Sequence, residues 1–168
     1  WLLTLNKNLS KISNIARVGL GLCGVYKKDR HLKPVLELRS LFVQVKKLKK
    51  GNRVGYSGTF KAGRDMKIGI LPIGYNDGVD RRLSNKGFVQ VKGQKCRILG
   101  RVSMNITAID ITDVKNAKVG DEVTIFSKNP KDINSIENSA KICNTIPYEL
   151  LIHLSPISIR REIMKTDS

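Results

Sequence analysis

Four short stretches of this sequence carry residue types that could do chemistry. In Val54-Gly55-Tyr56-Ser57-Gly58-Thr59-Phe60 a tyrosine stands between two glycines, in a run otherwise suited to a strand. Glycine weakens a strand, so two of them beside an aromatic read either as a bulge next to a packed ring or as a place where a ligand or another backbone comes close. A tyrosine phenol can move a proton, but its ordinary pKa of ~10 must first be lowered, most simply by a neighbouring cation such as arginine. Leu71-Pro72-Ile73-Gly74-Tyr75-Asn76-Asp77-Gly78 ends an apolar run in a tight polar turn, with Arg81-Arg82 just beyond. That pattern suits a hairpin with solvated arginines or the entrance for an anionic substrate. Gly100-Arg101-Val102-Ser103-Met104-Asn105 sets another arginine and a flexible Met104 at a strand junction, where Met104 by its type alone reads as core.

The fourth stretch, Gly19-Leu-Gly21-Leu-Cys-Gly24, is formally a G-x-G-x-x-G string, which between a strand and a helix would aim backbone N–H groups at a pyrophosphate. The context fails. The following residues do not form an amphipathic helix pattern, and no acidic residue sits about 20 positions on to hold a ribose. A milder use remains, in which Arg17 and the Gly19 backbone bind a single phosphate or an aromatic cofactor nitrogen. Cys23, Cys96 and Cys143 are far apart and form no C-x-x-C pair, and only His31 and His153 could add imidazole ligands, so no disulfide framework and no metal site is expected.

The elements that would position these residues are mostly short strands. β-branched runs are expected as strands over 36–45, 54–60, 67–74, 88–91, 97–102, 107–111 and 122–126. Turn signals separate them at Lys50-Gly51-Asn52, Asn76-Asp77-Gly78, Lys92-Gly93-Gln94 and Val119-Gly120-Asp121, spacing that suits a sandwich or barrel. After Asn129-Pro130, the three- and four-residue steps of Ile133, Ile136, Ala140 and Cys143 predict an amphipathic helix. A short apolar stretch follows Pro147, and 157–164 is expected to return as a final strand. Residues 1–34 have a different, mixed texture and read as a piece of something else.

The chain has 168 residues, enough for one ordinary domain of ~100–200, and 40% hydrophobic residues, which argues against disorder throughout. Uncharged apolar runs such as 68–75 fall far short of the ~20 residues needed to span a bilayer. The opening Trp-Leu-Leu-Thr-Leu is too short for the apolar core of a signal peptide, so a cytoplasmic protein is expected, and a first residue of Trp suggests that Trp1 is not a natural translation start. With 31 Lys+Arg against 14 Asp+Glu the net charge is +17, which raises a basic β-barrel that binds nucleic acid as an alternative. Against it, aromatics are only 5% and the basic residues are spread along the chain without interleaved stacking platforms.

Taken together, Ala16-Arg17-Val18-Gly19-Leu20, the Tyr56 stretch, the Tyr75 stretch, Gly100-Arg101-Val102-Ser103-Met104 and Asn144-Thr145-Ile146-Pro147-Tyr148-Glu149 resemble, in order and separation, the pyridoxal-phosphate-dependent alanine racemases. The resemblance implies a mainly β fold: the C-terminal β-barrel-like domain of that family over 35–168, with a short C-terminal helical segment. It is preceded over 1–34 by the last edge of a cofactor-bearing (β/α)₈ barrel. It also implies interconversion of L- and D-alanine, pyridoxal 5'-phosphate as cofactor, and supply of D-alanine for peptidoglycan. The expected partners are a second copy of the chain or a separate N-terminal half, with no membrane and no nucleic acid.

Residue by residue, Tyr56 matches the family's catalytic tyrosine, which faces the cofactor of the opposite subunit. Met104 matches the residue whose backbone N–H meets the substrate carboxylate, Tyr75 the tyrosine at the substrate entrance, and Arg81 and Arg101 arginines in the corridor outside it. Arg17 matches the arginine facing the pyridine nitrogen, where a permanent positive charge would keep that nitrogen unprotonated. Gly19 and Leu20 match backbone donors to the cofactor phosphate. The family's cofactor-bearing lysine lies in a Val-x-Lys-Ala-x-Ala-Tyr-Gly motif that does not occur here, so the chain is expected to lack the first half of the enzyme and to be inactive alone. Two departures stand out: Asn105 replaces the usual Asp, and 150–157 lacks the tyrosine that many relatives place against the phosphate.

Overall fold

The structure is a computed structural model, and it describes residues 19–25 and 32–163. Nine strands are laid out in chain order: β1 (Leu38–Leu41), β2 (Gln44–Leu48), β3 (Arg53–Val54), β4 (Phe60–Lys61), β5 (Met66–Leu71), β6 (Phe88–Val91), β7 (Gln94–Leu99), β8 (Thr107–Asp110) and β9 (Glu122–Phe126). Two helices follow, α1 (Ile136–Ile142) and α2 (Pro147–Ile152). Seven strands make one antiparallel sheet in the order β1-β9-β6-β7-β8-β5-β2, and β3 pairs with β4 as a separate two-residue hairpin.

The alternation of the sequence explains the sheet. Every second residue of β6, β8 and β9 points inward, so Val89, Val91, Ile109, Val123 and Ile125 reach the core while their neighbours stay half-exposed or exposed, except Phe126 at the end of β9, which is buried as well. Lys92 and Gly93, both left-handed at φ 50 and φ 75, close β6 onto β7 with Val91 opposite Gln94. This is the geometry whose twist matches a two-residue hairpin.

The two edge strands, β1 and β2, are consecutive in the chain and separated by only Phe42 and Val43. Phe42 donates its N–H to Asp121 O (3.1 Å) on the β9 side, and Val43 donates to Ile70 O (3.0 Å) on the β5 side. One segment thus crosses from one edge of the sheet to the other and curls it into a barrel. The Phe42 ring, 1% exposed, lies across β5 at Gly69, where any Cβ would come within 2.2 Å of Phe42 Cε1.

α1 starts at Ser135, whose hydroxyl accepts from Asn138 N (3.2 Å), and it buries Ile136 and Ala140 in the main core. α2 begins with Pro147, which suits the first helical position because its missing N–H is not needed there. A smaller cluster of Leu48, Ala62, Ile68 and Leu99 packs against Val54 and Phe60, and it seats the β3–β4 hairpin on the barrel. No helix among the described residues is long and apolar enough to cross a membrane.

Three expectations require correction. The run 36–45 is not one strand, because the barrel closure breaks it at Phe42–Val43. The run 54–60 is not a strand either. Gly55 (φ 78), Ser57 (φ 58) and Gly58 (φ 55) leave the extended region, so a turn over Tyr56–Gly58 separates β3 from β4. No final strand forms over 157–163. Ile157 and Ile163 are 94% and 97% exposed with no face to cover, and Arg160, Arg161 and Glu162 between them are exposed as well.

Candidate active site

Three loops at one end of the barrel carry the residues singled out by type. The first is the Tyr56 turn. Gly58 N donates to Gly55 O (3.0 Å), and the Arg53 guanidinium donates to Gly58 O (2.9 Å), so the turn closes on itself and is tied to its own strand. Tyr56 projects from it with 62% of the residue exposed. Of the two sequence readings, the packed ring fails and the close approach holds, and what comes close is another backbone. A Cβ on Gly55 would meet Arg101 N at 2.5 Å, and a Cβ on Gly100 would meet Val54 O at 2.5 Å.

The second loop carries Tyr75. Tyr75 N donates to Ser103 O and Asn76 N to Met104 O, each at 3.0 Å, while a Cβ on Gly74 would fall 2.1 Å from Ser103 O. The buried Asp77 carboxylate accepts from Gly74 N (2.8 Å), which locks the turn from inside. The third loop, 100–104, therefore serves both others: Gly100 and Arg101 lie against the Tyr56 turn, and Ser103 and Met104 against the Tyr75 turn. Met104 is 49% exposed, against its core reading by type, because its carbonyl is used for docking and the loop points outward. Among the described residues the Met104 N–H reaches no protein acceptor.

Arg81, Arg82, Ser84 and Arg101 line an open hollow of about 370 Å³ beside these loops. The Arg82 guanidinium is committed: it donates to Asp80 Oδ2 and to Glu149 Oε1, both at 2.7 Å. Those bonds raise the Arg82 pKa above its ordinary value, and they hold Asp80 below the usual carboxylate range. Glu149 is held low first by the Thr145 hydroxyl and then by Arg82. Neither Arg81 nor Arg101 has a carboxylate partner among the described residues; Arg101 Nη1 lies 3.5 Å from Ser57 Oγ. The positive charge facing the hollow is therefore theirs to give to an anion.

Asp80, Glu149 and His153 offer ligand atoms within 4.8 Å of one another, but Arg82 already supplies the cation for both carboxylates. The cysteines are free: Cys96 and Cys143 are buried, and burial pushes their thiols up to about 11 and about 12. Gly19–Cys23 forms a 3-10 turn, with Gly19 exposed and left-handed (φ 56) and nothing within 4 Å of the position its Cβ would take. Leu20 belongs to the same turn; Arg17 lies outside the described residues.

Sequence reading missed Asn85, Asp77 and the Arg82–Glu149 link. A local signal existed for Asn85, since Asn is among the few residues that tolerate the left-handed region it adopts (φ 58). None existed for the Arg82–Glu149 link, whose two residues are 67 positions apart.

The family model for "Alanine racemase, C-terminal domain" matches residues 35–162. Alanine racemase of Methylacidiphilum infernorum is 36% identical over 141 residues, covering 82% of this chain and 36% of that protein. Alanine racemase of Borreliella burgdorferi is 37% identical over 163 residues, covering 94% of this chain and 43% of that protein. Among solved structures, alanine racemase from Bartonella henselae with covalently bound pyridoxal phosphate aligns at a TM-score of 0.74 with 34% identity, over 81% of this chain and 38% of that one. The enzyme from Acinetobacter baumannii aligns at 0.76 with 34% identity, over 85% and 40%. The chain thus spans well under half the length of these relatives.

Proposed function

The chain belongs to the alanine racemase family, as its C-terminal domain, and from that membership we propose that it supplies one of the two bases and the substrate corridor for interconverting L- and D-alanine. The observation that carries the reading is Tyr56: an exposed phenol on a turn pinned against a second backbone, available to a neighbouring molecule and unable to fold away. Residues 35–168 form the β domain, and 1–34 belong to the edge of the cofactor-bearing barrel.

Pyridoxal phosphate, when bound, takes up the electron pair left on the α-carbon after proton loss. Racemisation then needs a proton donor and acceptor on each face of a flat carbon. Tyr56 holds the proton at its phenol oxygen on one face, reaching into the site of the opposite protomer of a homodimer; a lysine outside these 168 residues serves the other. The Met104 N–H, without a protein acceptor among the described residues and held in one peptide plane with the docked Ser103 carbonyl, binds the substrate carboxylate. Arg81 and Arg101 draw that carboxylate in, and Tyr75 narrows the entrance. On the family resemblance Arg17, which lies outside the described residues, would face the pyridine nitrogen, and Gly19 and Leu20 would donate N–H groups to the phosphate. The open, exposed side of Gly19 at the start of a 3-10 turn, where the first N–H groups have no acceptor within the helix, fits that role. The donor set thus fits one end of the cofactor and one face of the substrate, and the chain alone is inactive. The reaction would serve D-alanine supply for peptidoglycan in the cytoplasm. Nothing in the geometry favours the nucleic-acid alternative.

The test joins these residues to the lysine-bearing N-terminal part of the Borreliella burgdorferi relative and measures D-alanine formed from L-alanine. Loss of a general acid–base group costs about 10²–10⁴-fold, and Tyr56→Phe is expected to fall in that range. A Tyr56→Phe chimera as fast as its parent overturns the reading. So does D-alanine formed by the isolated chain with pyridoxal phosphate above a Tyr56→Phe control.

A further inference from the structure

We propose that Asn85 is a positioning residue that holds the Tyr56 turn from both of its ends, an inference that rests on the reading of Tyr56 as a proton-transfer group. Asn85 follows the 3-10 turn Arg81–Leu83 and sits at the left-handed φ of 58. Its backbone N–H donates to Gly100 O (3.2 Å), and its side-chain Oδ1 accepts from Gly100 N (2.7 Å), so both polar groups of Gly100 are taken by one residue. Gly100 is the residue pressed onto Gly55, at the entry to the turn. The other half of the same amide, Nδ2, donates to Thr59 Oγ1 (3.2 Å), at the exit.

Asn85 is itself fixed from behind. Its carbonyl accepts from Arg97 Nε (3.0 Å) and Nη2 (2.6 Å), and the adjacent Ser84 hydroxyl accepts from Val102 N (3.0 Å). Among the described residues the other polar ties on the turn are its own Gly58 N–Gly55 O bond, the Arg53 bond to Gly58 O and the long Arg101–Ser57 contact, none of which reaches Gly100 or Thr59. A short side chain that reaches Gly100 and Thr59 together is what the geometry requires. An aspartate meets it too, since the Thr59 hydroxyl can turn and donate.

The test uses Asn85→Gly, which keeps the left-handed backbone cheap and deletes both side-chain contacts while leaving the backbone bond to Gly100 O, and Asn85→Asp, which restores both contacts. In the 168-residue chain, backbone order parameters of Tyr56, Ser57 and Gly58 are expected to fall from about 0.85 to below about 0.6 in Asn85→Gly and to stay high in Asn85→Asp. Thr59→Val, which cuts only the exit contact, should loosen the same amides and reads the clamp even if Asn85→Gly does not fold. In the chimera, a misplacement of about 1 Å can cost up to about 10²-fold, so Asn85→Gly should lower kcat by about tenfold or more with KM within about twofold, and Asn85→Asp should recover it. The proposal is overturned if the turn stays ordered in Asn85→Gly or Thr59→Val, if Asn85→Asp is as loose as Asn85→Gly, or if kcat is unchanged while the turn loosens. An active Tyr56→Phe chimera instead overturns the role of Tyr56, and the order parameters still report on the clamp.

Discussion

Gly55 and Gly100 stand face to face, each left-handed and each leaving no room for a methyl group: a Cβ on one would come within 3.0 Å of the Cα of the other. Two loops of different strands are joined here backbone to backbone. The contact fixes where the Tyr56 turn sits on the barrel, a placement that the polarity of the sequence does not specify.

Gly55→Ala and Gly100→Ala should each be costly, because the new methyl meets backbone atoms at 2.5 Å and the residue also carries an unfavourable φ. Strain of this kind costs about 1–3 kcal/mol per residue, read as a lower urea midpoint. The same variants should shift the Tyr56 ring resonances, whereas Gly93→Ala, at an open hairpin turn with nothing within 4 Å, should leave them in place.

Gly69→Ala tests barrel closure. A methyl at this position would strike the Phe42 ring at 2.2 Å, and overpacking of that kind costs about 1–3 kcal/mol. Adding Phe42→Leu to Gly69→Ala should recover part of the loss in urea unfolding, since the three atoms nearest the new methyl all belong to the ring. A double variant no more stable than Gly69→Ala contradicts the packing described here.

The Asp80–Arg82–Glu149 bridge should make stability acid-sensitive. Both carboxylates are held below their unfolded values of ~3.9 and ~4.3, so their contribution is fully present above about pH 5 and is lost as pH falls through the folded values. Unfolding free energy measured from pH 6 down to pH 3 should therefore decline less steeply in Arg82→Met than in the parent chain. Part of the slope should survive in the variant, because Thr145 also holds Glu149 low. Equal slopes would leave the bridge without a thermodynamic role.

Thiol reactivity should divide by burial. Cys96 and Cys143, with thiols pushed up to about 11 and about 12, carry almost no thiolate near neutral pH and should react with a disulfide reagent only after unfolding. Any thiol labelled in the folded chain at pH 7.5 should be the half-buried Cys23. Rapid labelling of Cys143 in the folded state would place it outside the core.

Much of the barrel was legible residue by residue. β6 and β9 fall at the expected 88–91 and 122–126, Lys92-Gly93 makes the expected turn, and the helix announced by Ile133, Ile136, Ala140 and Cys143 forms as α1, though it starts only at Ile136 and leaves Ile133 before its N-cap. These are local patterns: a two- or four-residue period states which face is buried, and a glycine states where the chain turns. The candidate residues Tyr56, Tyr75, Arg81, Arg101 and Met104 were also visible by type and by resemblance to a family.

Which of those residues share a surface was decided elsewhere. The break at Phe42–Val43 exists because one segment has to reach both edges of a curled sheet, and the left-handed Tyr56 turn exists because two glycine backbones touch. Arg82 lines the hollow, but its charge is taken up by Asp80 and by a carboxylate far along the chain, which leaves the charges of Arg81 and Arg101 to face it. By itself the sequence determined most of the strands and turns and the identity of the reactive groups, since those follow from each residue and its near neighbours. Only the tertiary structure decided the exposure of Tyr56, the docking of two loops on Gly100–Met104 and the pairing of charges, because each depends on atoms brought together across the curled sheet.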